Sequence, residues 1–225
     1  VWVLGWMEGT ETSEKLLEDL SQKETEDILV RWAAIHALGW LTTDSSLEIL
    51  MNLMKDKNPA TVQEAATALW IRKPIEKYPE LIALTDEGNP PITRQESSWV
   101  LGNLQSEGIT EQMIFLAADN DEKVSEHVAG YLSKLPKQEI KGDLIYLSLS
   151  DSPSSRAFSI YTVSLMDTAE IQNDDDLFKI LLRGLSDPNN LVKEKALVAI
   201  NRLSLNHMDQ ISEQMTSDVI KLAQK

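Results

Sequence analysis

One ten-residue pattern returns six times along this chain at nearly constant spacing. Val30–Gly39 (VRWAAIHALG) is matched by Thr61–Trp70, 31 positions later. Thr93–Gly102 follows after 32 more, Val124–Ser133 after 31, and Ser155–Ser164 after another 31. Val192–Asn201 closes the series after 37, and the polar insert Asp167–Asp176 accounts for the longer step. Trp2–Met7 reads as the tail of one more copy. A period near 31 residues is too long for one secondary-structure element and too short for a domain. It therefore points to a stack of small supersecondary units, each burying its apolar face against the next.

Within each copy, small or apolar residues recur at the first, fifth, eighth and ninth positions. That spacing puts them on one face of a helix. Small residues on that face let a neighbouring helix come close. A turn rich in Asp, Asn, Pro and Ser precedes most copies: Asp56–Pro59, Asp86–Pro91, Asp119–Asp121, Ser150–Pro153 and Ser186–Asn190. These are helix stop and start signals. Before the turns lie second apolar-periodic stretches, among them Ser46–Met54, Leu144–Leu149 and Leu177–Leu185. No segment alternates strongly enough for a strand. The unit is thus helix A, short turn, helix B. The A helices are expected near 13–22, 45–55, 78–85, 109–118, 140–149, 175–185 and 208–223, and the B helices near 28–41, 60–71, 92–104, 122–134, 154–166 and 190–203. The repeats then lie near 1–7, 13–41, 45–71, 78–104, 109–134, 140–166 and 175–203, in one array with a final helix at 208–223. The first copy lacks its A helix and the chain does not open with Met, so it reads as a piece of a longer array.

This pattern, Thr93-Arg-Gln-Glu-Ser-Ser-Trp-Val-Leu-Gly102 above all, resembles the HEAT-like repeats of the short-unit class named after phycobilisome lyases. The resemblance covers nearly the whole chain. It implies an all-α, right-handed α-solenoid of about six to seven helical hairpins. It also implies a structural Arg or Lys at the second position of each B helix, paired with an Asp in a preceding turn of the same or the adjacent repeat. Arg31, Arg94, Arg156 and Lys193 occupy that position, with Asp56, Asp121, Asp151 and Asp187 in turns. Val62 and Ser125 interrupt the series.

Counting from zero at the first position, offsets 2, 3, 6 and 10 point away from the buried stripe. In a solenoid of this kind that is the inner, concave side. These offsets hold Trp2 and Trp6; Trp32, His36 and Trp40; Glu64; Gln95, Glu96, Trp99 and Asn103; Glu126 and His127; and Phe158 and Tyr161. Five of the six tryptophans fall there. Trp32, His36 and Trp40 are spaced four apart and stack along one helix face. Trp70 sits where other copies carry Gly and reads as packing. So much exposed indole calls for a covering partner, and Trp is a preferred anchor at interfaces. Neighbouring Glu64, Glu96 and Glu126 suit a protein or peptide with Lys or Arg beside an apolar anchor.

Charge and chemistry narrow the options further. With 36 acidic against 21 basic residues the net charge is −15, which disfavours nucleic acid or an anionic membrane as partner. No apolar run approaches the roughly 18 residues of a membrane span, and Val1–Met7 is too short for a signal peptide. There is no cysteine, hence no disulfide framework or thiol nucleophile, which fits the cytoplasm. The three histidines, His36, His127 and His207, form no zinc motif. They are too few for the iron site of HEAT-type hydroxylases, which Glu126-His127 matches only in reverse order. Asp174–Asp176 precedes an apolar helix, where Asp caps the helix end in preference to binding metal. No cofactor or metal is implied. The expectation is a non-enzymatic interaction scaffold. The alternative is a bilin-lyase-type or other small-ligand protein that uses the same aromatic face.

Overall fold

The computed structural model describes residues 11–23, 27–104, 109–119 and 121–206. They form thirteen α-helices and two 3-10 turns, with no strand among the described residues. The fold is an all-α solenoid. No helix among the described residues is long and apolar enough to cross a membrane. The chain divides into two compact units, Val1–Ile109 and Thr110–Lys225.

In the first unit the A helices are α1 (Glu11–Gln22), α3 (Asp44–Leu53) and α5 (Tyr78–Ala83). The B helices are α2 (Ile28–Trp40), α4 (Pro59–Arg72) and α6 (Pro91–Leu104). The B helices pack side by side in that order, and α1, α3 and α5 lie against them. Small residues set the spacing. A Cβ built on Gly39 would stand 2.9 Å from the Cβ of Ala68, so α2 and α4 cross almost backbone to backbone. Around the crossing, Ala34, Ile35, Leu38, Ala65, Ala66 and Leu69 have no exposed surface. Fully burying one leucine contributes about 1.5–3 kcal/mol, so this stripe outweighs any local propensity. Helix α4 stops at Lys73, whose φ of 56° is the left-handed geometry that ends helices, just before Pro74.

In the second unit the A helices are α7 (Ile109–Phe115), α9 (Lys137–Ser148) and α12 (Asp175–Leu185). The B helices are α8 (Glu122–Leu132), α10 (Pro153–Leu165) and α13 (Asn190–Asn206). Helix α10 is central and packs on α8, α9, α12 and α13. The polar insert holds a helix the sequence reading did not foresee, α11 (Thr168–Gln172). Asp167 caps it by accepting from Ala169 N at 2.8 Å. A five-residue helix is too short to show a period. The expected helix at 208–223 lies outside the described residues.

The turns before the B helices share one device. Asp56 accepts from Asn58 N at 2.7 Å, and Asn58 accepts from Ala60 N at 3.0 Å. Asp119 and Asp121 repeat this at 2.7 and 3.0 Å, and Asp187 and Asn189 at 2.8 and 2.9 Å. The first side chain folds the turn and the second caps the helix, satisfying amides that would otherwise lack partners. Asp121 is therefore a cap. The residue in register with Asp56 and Asp187 is Asp119.

The expected Arg–Asp pairing holds in one copy and fails in another. Arg156 grips Asp187 with Nε at 2.7 Å and Nη2 at 2.9 Å, and donates to the carbonyls of Ser150 and Asp151. Its carboxylate partner thus comes from the following turn, because that turn lies beside the start of α10. Among the described residues Arg31 has no Asp as a hydrogen-bond partner. It donates to Ser21 O at 3.2 Å and to Thr61 Oγ1 at 3.0 Å, reaching the first position of the next B helix. A second arginine, Arg72, staples the end of α4 to the turn between α2 and α3 through Leu41 O, Thr43 O and Ser46 Oγ. At the run of three aspartates, Asp174 accepts from Asp176 N and Leu177 N and pairs with Lys141 at 2.8 Å. Burial works against its charge, but Lys141 and the helix amides outweigh it and hold its carboxyl below the usual range.

Candidate interaction faces of the B helices

In the first unit the B helices present a mixed aromatic and acidic face. Trp40 ends α2 and is 57% exposed, next to the tight crossing at Gly39. Trp70 lies two residues past Ala68 on the facing helix and is 41% exposed. Two residues are about 200° around a helix, so Trp70 lies on the side of α4 away from Ala68 and the α2 crossing. The ring of Trp70 meets that of Trp99 on α6 edge-on, with centroids 5.9 Å apart and planes at 61°. Such pairs add about 0.5–1.5 kcal/mol beyond burial and fix ring orientation. One turn before Trp40, His36 Nε2 lies 2.8 Å from Glu64 Oε2, tying α2 to α4. Trp32 is half-buried, and its buried indole Nε1 finds no acceptor among the described residues. Glu96 is half-buried, and exposed Asn103 donates from Nδ2 to Trp99 O at 2.8 Å.

Two sequence expectations change here and one is not tested. Trp70, read as packing, is open to solvent on one side. Gln95, expected on the open face, is only 8% exposed. Trp2 and Trp6 lie outside the described residues. Trp70 was missed because it stands one position before the expected offset. A shift of one residue is 100° around a helix, and α4 ends two residues later, at Arg72.

In the second unit the corresponding face is a half-open cleft of about 150 Å³ over α10. Glu122 and Glu126 line it from α8, Phe158 and Tyr161 from α10, and Leu191 and Lys195 from α13. Phe158, expected to project outward, is 3% exposed and forms the floor. Tyr161, Glu126 and His127 are half-buried. Lys195 Nζ lies 4.8 Å from the centre of the Tyr161 ring and 2.8 Å from Glu122 Oε1. This bridge runs from α13 to α8 across the helix between them, so the three helices enclose a hollow. Burial pulls the Lys195 ammonium toward neutrality, but the Glu122 bond and the field of Glu126 outweigh it and raise its pKa above the ordinary value. Lys195 stands at offset 3 of the last copy, on the side expected to be open, whereas Glu122 precedes its copy and did not figure among the candidates; its signal was the i,i+4 spacing with Glu126.

Among the described residues no group of three or more His, Asp or Glu side chains is placed to hold a metal ion. Both faces offer aromatic surface beside carboxylates, which binds apolar and cationic groups.

Comparison with known proteins agrees with the repeat reading. Residues 1–70 match the family model described as HEAT repeats. No curated protein matches the chain by sequence. Among solved structures, Kap95p in its complex with RanGDP superposes with a TM-score of 0.55 at 11% identity. That match covers 94% of this chain but 31% of Kap95p, so this chain spans less than a third of that protein. The CpcE–CpcF phycocyanin lyase of Nostoc sp. PCC7120 gives 0.43 at 17% identity, covering 91% of this chain and 86% of that one. Human deoxyhypusine hydroxylase gives 0.42 at 18%, covering 91% and 77%. At these identities the likeness speaks to fold alone, an all-α solenoid, and the HEAT-repeat match covers residues 1–70 of the chain.

Proposed function

We propose that this HEAT-like chain is an interaction scaffold and not an enzyme, and that it binds an apolar and basic protein segment on the exposed faces of its B helices. The observation that carries this reading is the exposure of two indoles in one unit, Trp40 on α2 and Trp70 on α4, with Trp99 packed edge-on against Trp70. Large apolar rings left open on a rigid frame lose little conformational entropy on binding, which is why Trp anchors interfaces. Glu64 lies on α4 one to two turns before Trp70, and the −15 net charge favours a basic approach. Kap95p, which shares the fold, is seen bound to another protein, and the analogy lends support of the same kind. A cytoplasmic location belongs to the same proposal and rests on the cysteine-free composition.

The test is selection of peptides from a random display library against the wild-type chain. Enriched sequences should pair an apolar residue with Lys or Arg. Binding should fall by about 30-fold or more in Trp40→Ala/Trp70→Ala, since anchor residues contribute about 2 kcal/mol or more each. Helicity and unfolding midpoint should stay near wild type. Peptides that bind the double variant as tightly as the wild type would refute the assignment.

A further inference from the structure

We propose that the cleft over α10 in the second unit receives one arginine side chain of a bound protein segment, and that Lys195 is its built-in place-holder. The inference deepens the scaffold reading by saying where a basic anchor goes. It rests on a different unit and on different residues from the indole face.

The chemistry of the cleft is already displayed by the chain itself. An ammonium lies against the Tyr161 ring and against a Glu122 carboxylate, so the cleft is built to hold a cation. Its charge is not balanced by that one cation. Asp119, Glu122 and Glu126 line the cleft, with Lys195 as the single basic residue. Asp119 is engaged in its own turn through Asp121 N, so the carboxylates placed for an incoming cation are Glu122 and Glu126, two negative charges against one positive.

Geometry favours guanidinium over ammonium. Glu122 and Glu126 stand one helical turn apart on α8 and offer two carboxylates to a planar fork with five donors. A guanidinium plane also stacks flat on a ring such as that of Tyr161, while Ala157, Phe158 and Leu191 give its methylenes an apolar wall. A volume of about 150 Å³ is roughly five waters' share of liquid, enough for the guanidinium head and the carbons next to it.

Lys195 takes up the Tyr161 ring face and a Glu122 oxygen at one side of this cleft, yet it is held loosely enough to leave them. Its partner Glu122 is 68% exposed, and a pair of that kind is worth little on its own. An arginine that enters must displace the Lys195 ammonium, which then turns into solvent. The place-holder keeps the carboxylates from facing one another uncompensated when no partner is bound. It also lowers the affinity for any partner by the cost of its own departure.

The experiment is an amide NMR titration of the full chain with N-acetyl-arginine amide, run beside the neutral isostere N-acetyl-citrulline amide. Arginine amide should give saturable shifts confined to residues 122–126, 157–161 and 191–195, and citrulline amide should give none there. Lys195→Met should bind arginine amide at least threefold more tightly, and Glu126→Gln at least threefold more weakly. Should Glu126→Gln not fold, the Lys195→Met arm decides alone, since a merely structural lysine could not strengthen binding by its removal. Equal shifts with both ligands, non-saturating shifts spread over the acidic surface, or unchanged or weaker binding to Lys195→Met would overturn the proposal. None of these outcomes involves Trp40 or Trp70, so the indole face stands or falls by the peptide selection.

Discussion

Replacing Arg156 with Met tests the latch that sets the register between α10 and α13, and with it the position of Tyr161 beneath Lys195. Methionine keeps most of the apolar stem and removes four hydrogen bonds: two to Asp187 and one each to the carbonyls of Ser150 and Asp151. Asp187 is 9% exposed and the Arg156 side chain 15%, so the pair lies between two regimes. A fully buried carboxylate that loses its partner costs about 3–5 kcal/mol. A solvated pair contributes about 0–1 kcal/mol. Asp187 would still accept from Asn189 N, which softens the loss. We expect Arg156→Met to lower stability by about 2–3 kcal/mol and Asp187→Asn by about 1–2, since asparagine can keep the turn bond. The coupling energy from the double variant should exceed about 1 kcal/mol in urea unfolding. The pH dependence has a definite sign. Arg156 holds the Asp187 carboxyl below its usual range, so the folded state binds that proton more weakly than the unfolded state. The stabilisation is then complete above the ordinary Asp pKa of about 3.9 and fades as pH falls through the folded value. The stability gap between wild type and Asp187→Asn should be equal at pH 7 and pH 5 and should close below about pH 4. A coupling energy under about 0.5 kcal/mol, or a gap that widens on acidification, would sink the latch.

Three further outcomes follow from the packing. Gly39→Ala should lower stability by about 1 kcal/mol in thermal unfolding, because the new Cβ meets the Ala68 backbone at 3.0 Å and overpacking exceeds the helix-propensity gain. Leu50→Ala should cost about 2–5 kcal/mol, since Leu50 is fully buried, whereas Trp40→Ala should change stability by less than about 0.5 kcal/mol in the same assay. Asp174→Ala should cost about 1–2 kcal/mol, read by chemical denaturation, because it strips the cap of α12 and the partner of Lys141 together.

What the sequence made legible was whatever depends on one helix at a time. The six ten-residue copies begin within the first two turns of α2, α4, α6, α8, α10 and α13, because each follows a turn whose Asp, Asn and Ser caps are local. The capping role of Asp174 was legible for the same reason. Residues that depend on a neighbour's position were harder to read. Arg156 reaches forward to Asp187, Arg31 to Ser21 and Thr61, and nothing in the ten-residue pattern distinguishes those partners.

The candidate site shows where that limit falls. Sharing an offset fixes an angle around a helix, and exposure also depends on how far the flanking helices lean in. Phe158 and half-buried Glu96 share offset 3 and do not differ by pattern alone. Yet Phe158 lies on the floor of a cleft because α8 and α13 close over α10 and join through Glu122 and Lys195. Trp70 breaks the pattern and remains open, two residues from the end of its helix. The same physics that hid the exposure of single residues created the cleft. A middle helix with an aromatic row lines a cleft only when its neighbours on both sides approach it closely. That approach depends on contacts such as Gly184 on α12, where an added Cβ would stand 2.7 Å from Ala196 on α13 and 2.4 Å from Ile160 on α10. The geometry of the second unit is therefore set by packing glycines and alanines as much as by its charged residues.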